Sequence, residues 1–371
     1  MNGHISRRAA MILPLAVALP CRARAAMAPI TDAIGRTVTL KAPAERIVLG
    51  FNYEEFTAIG GAAAWDRVVG FNRRQWEVNR PSLWMRYQKA IPRLTGLTDI
   101  GEMENGTFST ETVLSLRPDL LVVIAYDYKA NAAAMQQIEA AGVPILALDF
   151  QAQDTAKHIA GTLALGAAIG ANDRARALAD LYRDKVADIQ RRVAGRTPPR
   201  AYFELGAGGP AVIGNTYNGA MWGRMVETAG GANVAAGKIA GPWAPMAPEA
   251  VLAARPEFVF LSGSSWAKAQ GAIRTGYDVD EQTARQRLLG YTQRPGWSEL
   301  PAVKAGNLFA LDAGLARALW DWTAMQYVAK QLHPDAFADI DPVQSLREYH
   351  ATYMPVPYEG TWMVRLREAA A

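Results

Sequence analysis

Two stretches decide the fold: STETVLSLRPDLLVVIA at residues 109–125 and APEAVLAARPEFVFLSG at residues 247–263. Aligned without a gap, Glu111 falls on Glu249, Val113-Leu114 on Val251-Leu252, and Arg117-Pro118-Asp119 on Arg255-Pro256-Glu257. Each reads as a short helix, an Arg-Pro break that takes the chain out of the α region, and a continuous apolar strand. A strand that is apolar at consecutive positions is covered on both faces, which is the habit of parallel sheets. The same joint occurring twice implies two α/β lobes.

Working outward, residues 32–40 (DAIGRTVTL) alternate around a glycine and read as a β-hairpin. Residues 46–50, 67–71, 119–125 and 143–149 are short β-rich apolar runs, separated by helical segments at 54–64, 109–116 and 130–141. Residues 153–194 are helical apart from a break at 170–172. In their second part Leu178, Leu181, Tyr182, Val186, Ile189 and Val193 recur at spacings of three and four, one apolar stripe. After Thr197-Pro198-Pro199 the alternation restarts, with strands expected at 201–205, 211–213, 258–262 and 308–312 and helices at 220–229 and 316–331. The expected division is a leader at 1–26, an N-terminal lobe at 27–152, a helical linker at 153–195, a C-terminal lobe at 196–345 and a tail at 346–371.

The chain has 371 residues, 50% hydrophobic and 20% charged, enough for about two domains. That composition excludes disordered, collagen-like and disulfide-scaffold classes. Its 39 Lys and Arg against 35 Asp and Glu give a net charge of +4. Arg7, Arg8, Arg22 and Arg24 all fall in the first 26 residues, which contain no acid, so 35 basic residues remain against 35 acidic ones. The basic excess is confined to the leader, and nucleic acid is not an expected partner.

The leader reads as an export signal: a basic start at 4–8, a mostly apolar run at 9–20, and an A-x-A pattern at Ala23-Arg24-Ala25. The apolar run is shorter than the about 20 residues a membrane span needs. Cleavage near Ala26 and release to the periplasm are expected, by the Sec route or, given Ser6-Arg7-Arg8, by the twin-arginine route. Cys21, the one cysteine, precedes the expected cut, which removes disulfide and thiol chemistry from the mature chain. Leu19-Pro20 before it are a poor lipoprotein site, so soluble export is expected in place of a lipid anchor.

In these features the chain resembles the periplasmic solute-binding proteins of ABC importers for ferric siderophores, haem, cobalamin and related metal species. The resemblance is carried by DAIGRTVTLKAPAERIVLG (32–50), the paired Glu-x-Val-Leu motifs, GVPILALD (142–149) and AVKAGNLFALD (302–312), in that order. It implies a class III α/β fold: two Rossmann-like lobes joined by a single long helix, ligand in the cleft between them, and small closure on binding. It implies no catalytic residue and no cofactor, a monomer in solution, and an inner-membrane permease with its ATPase as partner. Glu111 and Glu249 match the family glutamates, one per lobe, that pair with permease arginines. The segment 311–363 resembles a branch whose members carry iron complexes, nickel or molybdate-type oxyanions. Some of these have a His-x-x-Ser-Arg stretch where this chain has DAGLAR (312–317), which keeps Arg317 but lacks the His and the Ser. A His-coordinated metal is correspondingly in doubt.

Ligands of doubly wound sheets contact the loops past the strand carboxyl ends. Here those are 51–55, 126–128, 206–217, Trp243, 262–266 and 312–317. Tyr53, Tyr126, Tyr128, Tyr217, Trp243, Trp266 and Trp320 are candidates for an aromatic lining suited to a planar or catecholate-bearing chelate. Arg73, Arg74 and Arg317 are placed to neutralise an anionic complex. The ligand-binding set is therefore Tyr53, Arg73, Arg74, Tyr126, Tyr217, Trp243, Trp266 and Arg317, with Arg317 leading. Trp320 and Trp322 read more simply as core. His158, His333 and His350 have no metal-ligand spacing, and the last two read as surface residues, so metal is expected to arrive inside a chelator. A ferric siderophore or similar chelate is the expected ligand, with haem, cobalamin, a nickel chelate or a molybdate-type oxyanion as alternatives. An exported two-lobed enzyme is the remote alternative: no Walker loop, G-x-S-x-G, H-E-x-x-H or cysteine set is present, and GAGG at 206–209 is not a dinucleotide fingerprint.

Overall fold

The computed structural model describes residues 26–265 and 269–366. The expected signal and cleavage site before Ala26, Cys21, and Trp266 lie outside them. The hairpin is formed by β1 (Ala26–Thr31) and β2 (Thr37–Ala42), antiparallel, with Thr31 opposite Thr37. Its turn is closed by the Asp32 carboxylate, which accepts from the N–H groups of Ile34 and Arg36 at 3.0 Å each.

The N-terminal sheet contains β3 (Ile47–Leu49), β4 (Val68–Phe71), β5 (Thr98–Asp99), β6 (Leu120–Ile124) and β7 (Ile145–Leu148), parallel in the order β5-β4-β3-β6-β7. Every residue of β3, β6 and β7 is buried, as apolar runs covered on both faces require. The connector is a 15-residue helix, Thr155–Ile169, followed by a 22-residue helix, Asn172–Val193, about 33 Å long at the α-helical rise. Gly170 ends the first in the left-handed region, at the break the sequence showed.

The C-terminal sheet contains β8 (Arg200–Leu205), β9 (Asn215–Tyr217), β10 (Ala232–Asn233), β11 (Trp243–Pro245), β12 (Phe258–Gly263), β13 (Leu308–Asp312) and β14 (Met363–Arg365). The order is β11-β9-β8-β12-β13-β14, with β10 also on β8; β8, β12 and β13 are parallel. The strand expected at 211–213 is a bend, and β9 starts four residues later. The intervening backbone is drawn down onto β8, where Gly214 N–H donates to the buried Glu204 carboxylate at 3.0 Å. The helix expected from 316 starts at Asp321, because Arg317 takes φ +72°, which no α-helix accommodates. Residues past 346, expected as a tail, are partly woven into the fold. Helix Pro342–Tyr353 packs on Asp321–Leu332, and β14 pairs antiparallel with β13.

The repeated joint is repeated in three dimensions. Arg117 and Arg255 both adopt φ +46° before their prolines. Arg46 Nε donates to the Arg117 carbonyl at 3.0 Å, and Arg200 Nε to the Arg255 carbonyl at 3.1 Å. Asp119 and Glu257 accept from the backbone N–H of those same arginines, at 2.8 and 2.9 Å. One Arg-Pro-acid clamp thus fixes the start of a central strand in each lobe.

One apolar core runs through both lobes. It passes from Leu49, Phe56 and Trp65 through Leu165, Tyr182 and Ile189 of the connector to Phe203, Trp222, Phe260 and Val328. Smaller clusters fill the outer faces of the two sheets. Trp320 and Trp322 are core residues, as their sequence position suggested.

His333 and His350, expected at the surface, are buried. His350 lies under Trp320 and Trp362 with Nδ1 3.1 Å from the Val356 carbonyl, and His333 Nε2 is 3.0 Å from the Gly230 carbonyl. His158, on the first connector helix, is buried too, stacked 4.5 Å from Tyr182 with Nε2 2.9 Å from the Phe150 carbonyl. Burial lowers the pKa of His158 and of His350 to about 4 from 6.5. The unfolded chain therefore takes up protons that the folded one refuses. The stability each neutral imidazole contributes is complete above pH 6.5 and is lost as pH falls toward 4. By pH 5 each withdraws about 2 kcal/mol. Chemical denaturation at pH 7 and pH 5 checks this: His350→Gln loses about 2 kcal/mol less over that interval than the unsubstituted protein, and an equal loss would refute the assignment.

Candidate functional site

The carboxyl ends of the parallel strands in both lobes face one cleft, made of two joined chambers. The inner one, about 330 Å³, is lined from the N-terminal lobe by Phe51, Glu54, Glu55, Gln75, Trp76 and Arg80, and from the C-terminal lobe by Ser264 and the 313–318 loop. The outer one, about 350 Å³, is walled by Glu102, Glu104, Tyr126 and Asp127 on one side and by Tyr217, Trp243 and Ser262 on the other. Phe51, Gln75, Ala313 and Arg317 line both.

Arg317 is the hub. A left-handed conformation at a non-glycine residue costs roughly 1–2 kcal/mol and is kept where the surroundings impose it. Here it turns the guanidinium under the Phe51 ring, 5.6 Å from its centroid. Among the described residues Arg317 makes no side-chain hydrogen bond or ion pair. Burial lowers its pKa, Tyr217 opposing and Arg80 adding to the shift. An unpaired cation in a cleft wall is a place for an anion.

Arg80 is the second cation. It hydrogen-bonds Glu54 of its own lobe and reaches across to the 313–318 loop, so close that a Cβ on Gly314 would lie 2.5 Å from its Nη2. Glycine at 314 is what lets the arginine cross. Glu55, buried beside them, has its carboxyl pushed up to about 8 by burial and by Glu54, with Asn52 and Arg317 opposing. With Arg80 matched by Glu54 and Glu55 mostly protonated at neutral pH, the charge left over in the inner chamber is that of Arg317.

The cleft is bridged on both sides. Arg86 of the N-terminal lobe donates to Asp278 at 2.7 and 3.0 Å and to Glu359 at 2.9 and 3.1 Å, and lies over the Tyr277 ring. At the outer chamber Tyr126 meets Trp243 across the opening, ring centroids 6.1 Å apart.

Residues 78–315 match the sequence family of periplasmic binding proteins. The chain belongs to the periplasmic binding protein family. This binding protein is also similar to the TroA-like periplasmic binding protein FepB from Veillonella parvula, at 29% identity with a TM-score of 0.84, covering 91% of this chain and 99% of that one. The Haemophilus influenzae molybdate-binding MolA, in its molybdate-bound form, shares the fold at 18% identity and a TM-score of 0.66 over 90% of this chain and 99% of that one. In sequence, the uncharacterized ABC transporter substrate-binding lipoprotein YvrC of Bacillus subtilis is 23% identical over 316 residues, 84% of this chain and 87% of that protein. The binding protein is thus a two-lobed class III member of an ABC transporter substrate-binding family, and its relatives are transport proteins, not enzymes. No helix among the described residues is long and apolar enough to cross a membrane.

Of the residues singled out in the sequence, Tyr126, Tyr217, Trp243 and Arg317 come together on the outer chamber. Tyr53 lines the inner chamber, while its ring packs among Trp65, Phe71 and Trp76. Its hydroxyl is taken up by the carbonyls of Gly50 and Asn72 at 3.0 and 2.9 Å, so it builds the wall and offers nothing polar to a ligand. Arg73 and Arg74 are outside both linings, paired with Glu77 and Glu102 at 3.0 and 3.4 Å. Tyr128, in the sequence's aromatic set, points away, with its hydroxyl on Glu139 and its ring under Arg36. Glu111 and Glu249 are exposed at the second position of equivalent short helices and have no side-chain partner among the described residues. Sequence reasoning named the loops that hold Glu55 and Asp127 without singling out either residue, and missed Arg80. The strand-end rule applied to β4 would have reached Arg80 through the loop at 72–80, but nothing in the residues tells which of its three arginines turns inward.

The outer wall depends on a buried pair. Arg294 donates to both Glu204 oxygens, at 2.8 and 2.7 Å, and to the carbonyls of Pro210 and Val212 at 2.8 and 2.6 Å. This ties the loop before β9, and with it Tyr217, to the sheet. Arg294→Ala strands a buried carboxylate and is expected to cost about 3–5 kcal/mol in urea denaturation. A loss under 1 kcal/mol would show that the pair does not hold the loop.

Proposed function

We propose that this protein captures an anionic metal chelate, a ferric siderophore being the best fit, and delivers it to an inner-membrane ABC permease with its ATPase. The observation that carries this reading is Arg317, strained, unpaired among the described residues, and shared by both chambers. The flanking Phe51, Tyr126, Tyr217 and Trp243 supply flat apolar surface for the chelator, whose own donors hold the metal. No group of His, Cys, Asp and Glu among the described residues is arranged to hold a metal ion, which favours delivery inside a chelator over a protein-built metal site. A bare oxyanion would satisfy Arg317 but leave the aromatic outer chamber unused.

Permease docking is assigned to Glu111 and Glu249. They stand at matched positions, one per lobe, with nothing to neutralise them among the described residues. The Ser109 N–H bonds the Ile100 carbonyl just past β5, so the Glu111 turn starts at the carboxyl end of the N-terminal sheet. Paired exposed acids steer a basic partner and report the distance between lobes.

Trp76, Trp222 and Trp243 line the cleft, so fluorescence quenching reads binding directly. Titration against a ferric siderophore, haemin, cobalamin, nickel and molybdate is expected to select the ferric chelate, and Arg317→Ala to weaken it at least about tenfold, as loss of a charge-assisted bond implies. Selection of haemin or cobalamin, or affinity unchanged in Arg317→Ala, would overturn the reading. Glu111→Ala/Glu249→Ala is expected to abolish permease-dependent uptake while leaving ligand affinity intact; lost affinity would sink the docking assignment.

A further inference from the structure

The outer chamber carries unpaired charge of both signs. Glu104 is exposed and Asp127 half-buried; neither carboxylate has a side-chain hydrogen bond or ion pair among the described residues. Glu102 beside them is matched, by Arg74 at 3.4 Å and by Asn105 at 2.6 Å. Burial and the fields of Glu104 and Glu102 push the Asp127 carboxyl up to about 6, so it is largely ionised at neutral pH yet poorly solvated. Arg317 feels the charge of Glu104 but forms no ion pair with it or with Asp127, although all three line the one chamber.

An uncharged polar group in the cleft wall is also open. Trp76 Nε1, fully buried in the inner wall, has no hydrogen-bond partner among the described residues. A buried polar group left unsatisfied in a cavity wall is one that a ligand can complete. A ligand anionic at every end would gain at Arg317 and lose against Asp127 and Glu104, whereas one with a cation at the far end gains at both.

We propose that the ligand is of mixed charge, with an anionic group meeting Arg317 and a protonated amine meeting Asp127 and Glu104. This rests on the chelate reading of the cleft and narrows it to complexes that carry a pendant ammonium group. The arrangement gives the ligand one orientation, since turning it end for end sets like charges together at both poles.

The test uses two ferric complexes of one catecholate chelator, one bearing a free primary amine and the other N-acetylated at that nitrogen. By fluorescence titration of the full chain, the amine form is expected to bind about tenfold more tightly than the acetylated form, the scale of one partly screened ion pair. In Asp127→Asn/Glu104→Gln that ratio falls toward one, whereas Arg317→Gln weakens both complexes alike and preserves it. Equal affinity of the unsubstituted protein for the two complexes, with Arg317→Gln still weakening both, overturns the mixed-charge proposal and leaves the anionic-chelate reading standing. If the unsubstituted protein binds neither complex, or if Arg317→Gln changes nothing, the chelate reading fails and the proposal falls with it.

Discussion

The cleft exists because one apolar core passes without interruption from the first lobe, through the connector helices, into the second. Phe56 and Trp65 on one side and Phe203 and Val328 on the other belong to the same cluster as Tyr182 and Ile189 between them. Hinging the lobes far apart would expose part of that surface, at about 25 cal/mol for each Å² of apolar area. The strand carboxyl ends are therefore held facing each other at nearly fixed distance, and the loops that follow them become the walls of a cavity. The Arg86 bridge to Asp278 and Glu359 and the Tyr126–Trp243 contact close its two sides at much smaller energetic scale.

Within that frame the chemistry comes from what is left unsatisfied. Two buried carboxylates near the strand ends are matched: Glu204 by Arg294, and Asp312 by Thr275 and the Gly314 N–H. In the cleft Arg317, Asp127 and Trp76 are open. Glu55, kept mostly protonated by its surroundings, prevents the inner chamber from cancelling the charge of Arg317.

Several features escaped a reading of residues alone, each for a definable reason. Tyr53 follows a strand and lines the inner chamber, but the spending of its hydroxyl on the Gly50 and Asn72 carbonyls depends on contacts its neighbours in sequence do not reveal. His333 and His350 lie in polar-looking sequence and are covered by segments distant in the chain, His333 by the turn at Gly230 and His350 by Trp320 and Trp362. The strand at 215–217 was displaced because Glu204, isolated in an apolar run, draws the Gly214 backbone to itself. Arg73, Arg74 and Arg80 are equivalent by composition; which acid each one meets, Glu77, Glu102 or Glu54, settles that only Arg80 lines the cavity.

The sequence by itself determined the two α/β lobes, their helical connector and the family, because these rest on local periodicity and on a repeated helix-Arg-Pro-strand joint written in consecutive residues. It also determined that Arg317 was worth attention, through the motif that holds it. Only the tertiary structure decided which charges meet. Ion pairing and burial depend on distances of a few ångströms between residues far apart in the chain, and no spacing along the chain encodes that Arg317 stays open while Arg80 crosses to Gly314 and Asp127 waits on the opposite wall.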